Sequence, residues 1–447
     1  MATAGNIHIP PDPGPAAWDA ILPLRQPFAP LVQEQQADYL VIGAGFAGLS
    51  AARRLQQLQP EARIAVLEGR TVASGPSGRN SGFMIDLPHD LVSSDYAGQA
   101  DVDRRQTAMN RAAIRFALAA QHECGMPAEA VDPCGKVNAA ATEQGMAHNT
   151  AYARHLDALG ETYQLLDAAA MRALTGVDYY RGGLWTPGTA MLQPALYVRG
   201  LAAGLQQAGV GIFEHSPVCA LEPDGDDWKA STPAGSIRAG RVLLAVNGLI
   251  QRFGFMPGRL MHVFTYASMT RPLNPSEIRQ LGGAESWSFT PADPMGSTVR
   301  RISGPGGARL VIRNRFTYDP AMEVSARRLD TVARDHQRAF RARFPMLGQV
   351  EMEYCWGGRL CLSLNGVAVI GALAPGLFAA CCQNGLGAAR GTVSGIAAAE
   401  QAAGATQTLL PDYQPEAAPR RLWPEPFMSV GANTYLRWKE WRAGREL

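Results

Sequence analysis

The segment that decides the fold is 38–68, which reads DYLVIGAGFAGLSAARRLQQLQPEARIAVLE. Its start, 39–42, is a short apolar run that predicts a buried strand, and 43–48 follows with the spacing Gly-x-Gly-x-x-Gly. A helix over 49–58 and a second strand over 63–67 are predicted next. A strand, a tight glycine turn, a helix and a strand within about 30 residues form a unit that binds dinucleotides. The segment therefore predicts a Rossmann-like nucleotide-binding domain.

Each glycine of this turn has a mechanical reason. Gly43 allows the sharp turn out of the strand, Gly45 lets the backbone approach a pyrophosphate, and Gly48 lets the helix and the strand pack together. The helix N-terminus offers backbone N–H groups and the positive end of a dipole to the phosphates. Glu68 is predicted to accept hydrogen bonds from ribose hydroxyls and to disfavour a 2′-phosphate, which indicates FAD or NAD rather than NADP. The residues assigned to the dinucleotide on these grounds are Gly43, Gly45, Phe46, Ala47, Gly48 and Glu68.

The composition narrows the class of protein. The chain has 447 residues, 47% of them hydrophobic and 18% charged, with a net charge of +2, which is ordinary for a globular enzyme of two domains. Scattered Lys and Arg residues form no basic stripe for nucleic acid and no polybasic helix for a membrane surface. No apolar run approaches the roughly 20 residues that span a bilayer. Seven Cys without a CxxC pair indicate a reducing, cytoplasmic setting.

A glycine-rich loop after the second strand indicates FAD rather than NAD as the dinucleotide. Residues 75–82 read GPSGRNSG. This loop is similar to the Gly-Ala-Ser-Gly-Arg-Asn-Gly-Gly loop along the flavin of D-amino-acid-oxidase-like flavoproteins, and it resembles most the branch of gamma-glutamylputrescine oxidase, sarcosine oxidase and glycine oxidase. Pro76 and Ser81 depart from that pattern, and both are small. The resemblance implies FAD as the cofactor, with contacts from Gly69, Arg70, Ser77, Gly78, Arg79, Asn80, Ser81 and Gly82.

Later segments extend the resemblance over roughly residues 35–405. The segment 193–218 resembles the crossover to the adenine-side strand, and 245–248 is similar to the segment that closes the nucleotide domain. The segments 356–371 and 384–387 resemble the C-terminal flavin strand and helix, and the helix dipole would stabilise negative charge on the reduced flavin. The family's His in the flavin helix segment is absent here, so no proton relay is carried over. The resemblance adds to FAD binding Val218, Asn247, Gly248, Arg359, Asn384, Gly385, Leu386 and Gly387.

Arg359 is the principal substrate candidate. In the amino-acid-oxidising members that the chain resembles, an Arg shortly after the aromatic-Gly of this strand clamps the substrate carboxylate through two hydrogen bonds. Leu360 stands where the family has Pro, and a structural or flavin-side role of Arg359 stays open beside the carboxylate role. Further candidates for a substrate cavity are His262, Tyr266 and Trp356, for which a half-buried sheet face or core packing is the alternative explanation.

Some sarcosine-oxidase-like members attach FAD covalently through a Cys in this region. Cys355 and Cys361 lie nearby, but the aligned position is Gly358, so the resemblance implies non-covalent FAD. No metal site is expected, because His148 and His155 have no acid or Cys at ligand spacing.

These segments predict an α/β protein, α+β overall, with a discontinuous Rossmann-like FAD-binding domain and a substrate domain built on a mixed or antiparallel sheet. The Pro-rich N-terminal arm, 1–35, is expected to lie over the surface, and 101–173 predicts mainly helices. The helix that carries Trp438 and Trp441 is predicted to dock a partner or to join a homo-oligomer. The predicted FAD-binding segments are 36–95, 190–255 and 356–410, the substrate domain is 96–189 and 256–355, and the tail is 411–447.

The resemblance implies an FAD-dependent oxidase of an amine or amino acid. Such an enzyme transfers hydride from the carbon next to nitrogen to flavin N5, the imine hydrolyses, and O2 reoxidises the flavin to give H2O2. Two alternatives stay open. One is an FAD-dependent dehydrogenase that passes electrons to a quinone or a carrier protein, and the other is a flavin-binding subunit without turnover. The expected partners are a small-molecule amine or amino acid and O2.

Overall fold

Two eight-stranded sheets and one three-stranded sheet organise the chain in a computed structural model, which describes residues 7–88, 98–304, 306–415 and 417–447. The first residues of the predicted arm, 1–6, and the predicted domain boundary at residue 95 lie outside these ranges. The strands are, in chain order, β1 (Glu34–Ile42), β2 (Ile64–Leu67), β3 (Phe83–Met84), β4 (Val131–Asp132), β5 (Lys136–Ala140), β6 (Gln164–Asp167), β7 (Gly182–Thr186), β8 (Ala190–Leu192), β9 (Gly211–Phe213), β10 (Ala220–Asp224), β11 (Asp227–Ser231), β12 (Ser236–Leu244), β13 (Met261–Thr270), β14 (Trp287–Pro291), β15 (Thr298–Ile302), β16 (Arg309–Tyr318), β17 (Met352–Leu362), β18 (Val369–Ala374) and β19 (Leu377–Cys381).

The helices surround these sheets. None that the structure describes combines the length and the apolar character needed to cross a membrane. In chain order they are α1 (Ala17–Ala20), α2 (Phe46–Leu58), α3 (Ala100–Glu123), α4 (Glu143–Leu159), α5 (Ala168–Thr175), α6 (Pro194–Gln207), α7 (Pro275–Leu281), α8 (Ala326–Arg343), α9 (Gly387–Ala403) and α10 (Phe427–Ala443).

The first sheet has the order β10-β11-β12-β1-β2-β9, and β19 pairs with β12. The central pairs of β1 with β2 and with β12 are parallel, and the end of β1 is buried, as expected of a parallel strand covered on both faces. Helices α2 and α9 are in close contact. A Cβ on Gly395 of α9 would come within 2.1 Å of the Ala47 carbonyl oxygen of α2. This arrangement confirms the predicted Rossmann-like α/β fold.

The second sheet has the order β17-β13-β16-β15-β14-β5-β7-β6. Its pairs are antiparallel except β14 with β5, so it is a mixed sheet. The segment 101–173 is mainly helical, as predicted, and it also contributes strands, of which β5 is buried between β14 and β7. The segment boundary predicted at residue 356 falls within β17, which belongs to this sheet.

The N-terminal arm lies partly over the surface, with Leu24 and Val32 exposed, and is also anchored in the core. Trp18 is fully buried, and its indole Nε1 donates to the Asn80 carbonyl oxygen at 2.8 Å. Leu31 is buried as well, and β1 already begins at Glu34. The physical reason is that the arm carries large apolar side chains, whose burial stabilises the protein by about 2 kcal/mol each.

Candidate active site

A cleft opens where the carboxyl ends of β1 and β2 face strands β13 and β17 of the second sheet. Ligands of open parallel sheets bind outside the carboxyl ends of the strands, so this is the expected position for a dinucleotide. The predicted cofactor residues that line the cleft are Gly43, Gly45, Phe46, Ala47, Glu68, Gly69, Arg70, Ser77, Asn80, Val218, Asn247, Gly248, Arg359, Gly385 and Gly387.

The glycine turn is shaped by contacts that exclude any side chain. Gly43 has φ +105°, and a Cβ there would lie 2.6 Å from the Ala245 carbonyl oxygen. A Cβ on Gly48 would lie 1.8 Å from the Gly43 carbonyl oxygen. At the N-terminus of α2, the Phe46 N–H donates to the Ser77 hydroxyl at 3.0 Å. The turn and the loop 75–82 therefore form one cradle, with the helix N-terminus at its floor.

Glu68 lies at the end of β2, beside this turn. Its carboxylate accepts from the backbone N–H of Ala44 and from that of Arg70, both at 3.0 Å. Burial raises the pKa of the Glu68 carboxyl, and the two backbone hydrogen bonds oppose this shift. The acid is thus fixed by the turn at the edge of the cleft.

The remaining predicted cofactor residues are not among the described residues that line the cleft. Arg79 donates from Nε to the Gly357 carbonyl oxygen at 2.8 Å, and burial lowers the pKa of its guanidinium to about 10. Asn384 accepts from the Ser363 N–H at 2.8 Å. These supporting residues are Gly48, Gly78, Arg79, Ser81, Gly82, Asn384 and Leu386.

An ion-paired carboxylate from the N-terminal arm lies in the cleft. Asp12 accepts from Arg70 Nη1 at 2.6 Å and from Arg359 Nη2 at 2.7 Å. Ile7 and Ile9 line the cleft beside it, and the Ile9 side chain lies where a Cβ on Gly69 would be. These arm residues were not predicted from the sequence. The signal available there was the alternation of apolar side chains in 7–9, followed by the acid Asp12.

Only some of the hydrogen-bond donors of Arg359 are therefore used within the protein. One amino group of its guanidinium binds Asp12, while Nη1 is buried without a hydrogen-bond partner among the described residues. Burial lowers the pKa of this guanidinium and Asp12 raises it again. Because Asp12 also binds Arg70, next to Glu68, Arg359 is tied to the nucleotide end of the cleft.

We expect Asp12→Asn to lower the free energy of unfolding by about 3 kcal/mol, because it leaves the buried Arg359 cation without its carboxylate. Urea unfolding of the FAD-loaded protein measures this value. The control is Asp101→Asn, which alters an acid that is 86% exposed and should change stability by less than about 0.5 kcal/mol. Equal, small effects of both variants would contradict the proposed importance of the arm contact.

Of the other three substrate candidates, one lines the cleft and two do not. His262 lines the cleft, and its Nε2 contacts Gln251 Oε1 at 2.7 Å. Tyr266 is fully buried towards α8 with its hydroxyl 2.6 Å from Thr317 Oγ1, and Trp356 is fully buried with Nε1 donating to the Arg79 carbonyl oxygen at 2.9 Å. Neither ring is among the described residues that line the cleft.

His262 should make the protein less stable in acid. Burial, Arg359 and Arg252 lower its pKa to about 4, so between its unfolded pKa near 6.5 and pH 4 only the unfolded chain binds this proton. Stability is unaffected above pH 6.5 and falls by about 3 kcal/mol by pH 4. His262→Gln should remove this part of the acid loss in urea unfolding at several pH values, whereas exposed His122→Gln should not.

Cysteine chemistry supports non-covalent cofactor binding. Cys361 borders the cleft, and its pKa is raised well above the ordinary value by a hydrogen bond with Cys382 and by burial. Burial raises the pKa of Cys355 to about 11. Neither thiol ionises near neutral pH, so neither presents the thiolate that covalent attachment needs.

The cleft fits FAD. At the N-terminus of α2 the N-cap residue Gly45 has no side chain, the Phe46 N–H donates to Ser77, and all three residues line the cleft where a diphosphate would lie. Gly387 begins α9, and within the described ranges nothing lies within 4 Å of where its Cβ would be. The unpartnered Nη1 of Arg359 can donate to an anionic group. Glu68, the two helix N-termini and Arg359 are the residues that would hold this cofactor.

Comparison with known proteins identifies the family. The family model DAO, described as FAD dependent oxidoreductase, matches residues 38–401. The chain is 27% identical over 396 residues to the probable oxidoreductase OrdL of Haemophilus influenzae, with 86% of each chain covered. It is 24% identical over 363 residues to gamma-glutamylputrescine oxidoreductase of Escherichia coli, with 79% of this chain and 80% of that one covered.

A solved structure shares the fold of this chain. Glycine oxidase from Geobacillus kaustophilus superposes with a TM-score of 0.67 at 19% identity, over 83% of this chain and 96% of that one. The predicted family, its fold and its cofactor are confirmed. The chain belongs to the DAO family of FAD-dependent oxidoreductases.

Proposed function

We propose that this enzyme is an oxidase of an amine or amino acid that uses O2 as its electron acceptor. The bound FAD would supply two-electron chemistry, by which the C–N bond becomes an imine and O2 becomes H2O2. The observation that carries the proposal is the single cleft that joins the dinucleotide cradle of the first sheet to His262 and Arg359 of the second. A substrate held against the second sheet would thus meet the cofactor within one enclosure.

The residues of the second sheet suggest how the substrate is received. With its pKa near 4, His262 is neutral at pH 7, and a neutral imidazole adds no positive charge that would repel an ammonium substrate. Arg359 supports a cofactor-side role, since Asp12 ties it to the nucleotide end. We therefore propose that Arg359 binds FAD and that the carboxylate role is secondary.

The names of two similar proteins support a nitrogen-bearing substrate. They are an oxidoreductase of gamma-glutamylputrescine and an oxidase of glycine. We also propose a cytoplasmic location, because all seven cysteines are free.

A second candidate is a dehydrogenase that passes its electrons to a quinone or a carrier protein. An exposed aromatic surface on α10, described below, favours it, because such surfaces mark interaction sites. The experiment that separates the two candidates is reoxidation of substrate-reduced enzyme. Rapid return of the flavin absorbance in air, with one H2O2 per flavin, supports the oxidase. Slow return in air and fast return with a soluble quinone would overturn it.

A further inference from the structure

The C-terminal helix α10 is firmly attached through one of its faces. Met428 packs in a cluster with Val263, Phe316 and Tyr318, beneath which Leu360 also packs. Glu440 accepts from the Phe316 N–H at 3.0 Å and pairs with Arg315 at 3.1 Å. The orientation of α10 is thus fixed, and so is the identity of its outward face.

The outward face of α10 is an exposed apolar stripe. Trp441 is 79% exposed and Phe427 is 72% exposed. Val430 and Trp438, which lie between them in the sequence, are exposed as well. The four residues follow one another at spacings of three, eight and three residues, which places all four side chains on one side of the helix. Single exposed apolar residues are normal on a protein surface, but apolar residues that recur on one side of a helix, here with the exposed Thr434 between Val430 and Trp438, indicate an interaction site.

Positive charge borders this stripe on both sides. Arg437 and Arg442 are exposed, and the Arg442 guanidinium lies 5.1 Å from the centre of the Trp438 ring. Of the acids near this helix, Glu440 and Glu446 are each 4% exposed and bind internal partners, and Glu440 also lies 3.8 Å from Arg437. Glu425, just before the helix, is exposed and accepts hydrogen bonds from Tyr318 and Ser429. The C-terminal half of α10 therefore exposes Arg437 and Arg442, while its acid, Glu440, is buried.

We propose that the outward face of α10 docks on the surface of an anionic phospholipid bilayer. Trp rings prefer the interface between headgroups and acyl chains, where their apolar body and polar N–H are both accommodated. Arg side chains on either side of the stripe bind anionic headgroups. A helix with this division lies in the plane of the interface with its apolar side chains immersed. Because Leu360 both packs beneath α10 and lines the cleft, docking brings the cofactor cleft close to the lipid surface.

The test is flotation of the FAD-loaded enzyme with two kinds of vesicle, phosphatidylcholine alone and phosphatidylcholine with about one third phosphatidylglycerol. We expect at least about tenfold tighter binding to the anionic vesicles, weakened by salt. Arg437→Glu with Arg442→Glu should lower that binding at least about tenfold, and so should Trp438→Ser with Trp441→Ser.

The matched control is Leu24→Ser with Val32→Ser, which alters exposed apolar residues elsewhere and should leave vesicle binding unchanged. All variants should keep the flavin spectrum and thermal midpoint of the parent. Failure of the parent to bind either vesicle would overturn the proposal. So would a parent dimer that the Trp substitutions convert to monomer without any vesicle binding, since the face would then join two copies of the chain.

Discussion

Gly48→Ala should yield protein that retains almost no FAD. The added Cβ would lie 1.8 Å from the carbonyl oxygen of Gly43, a backbone atom that cannot move without opening the turn. Overpacking of a tight backbone contact costs about 3 kcal/mol or more, so we expect FAD to bind at least roughly 100-fold more weakly. Equilibrium titration of the apoprotein with FAD measures this loss.

The control for this variant is Gly431→Ala, on α10 and away from the cleft. Among the residues that the structure describes, none lies within 4 Å of the added Cβ. Its FAD affinity should match that of the parent. A Gly48→Ala protein that folds and binds FAD as tightly as Gly431→Ala would contradict the proposed cradle. Circular dichroism of both variants excludes simple loss of folding as the cause.

Arg359→Ala should weaken FAD binding by about 2 kcal/mol, roughly 30-fold, because a charged donor with a buried, otherwise unpartnered Nη1 is removed from the cleft. Arg359→Lys should recover part of that affinity, since it keeps the charge opposite Asp12 but lacks the planar fork. FAD titration and steady-state kinetics at saturating FAD are measured on the same preparations.

The two measurements separate the two roles of Arg359. A cofactor role raises the dissociation constant of FAD and leaves the KM for substrate nearly unchanged once FAD is saturating. The opposite result, unchanged FAD affinity with a KM for amino acids raised far above that for simple amines, would assign Arg359 to the substrate carboxylate. Arg104→Ala, on the exposed surface of α3, is the control and should change neither value.

The nucleotide-binding half of the fold could be predicted because its signals are local. The apolar strand, the glycine turn and Glu68 stand within one segment, and each residue type is needed for a steric or hydrogen-bonding reason that does not depend on distant parts of the chain. The same holds for the loop at 75–82, whose small residues follow directly.

The contacts of the arm could not be predicted, because they join distant parts of the sequence. Asp12 is separated by 58 residues from Arg70 and by 347 from Arg359. For Tyr266, the alternation of a strand defines two faces but does not say which one a helix covers, and α8 covers the face that carries this ring.

The surface charge of the C-terminal helix could not be predicted from the sequence either. Arg and Lys residues there alternate with Glu440 and Glu446, and this mixed pattern gave no reason to predict a membrane surface. Folding buries both acids and leaves the Arg residues outside, so the surface charge differs from the local sum. A sequence count of charges cannot anticipate which of them are neutralised internally.

The central claim, oxidation of a C–N bond by the FAD held in this cleft, is tested most directly by anaerobic titration. The FAD-loaded enzyme is mixed with a panel of amines, amino acids and 2-hydroxy acids while the flavin absorbance is followed. We predict that at least one nitrogen-bearing compound bleaches the flavin band at one equivalent per FAD and that no 2-hydroxy acid does. Bleaching by a 2-hydroxy acid alone, or by no nitrogen compound in the panel, would contradict the account.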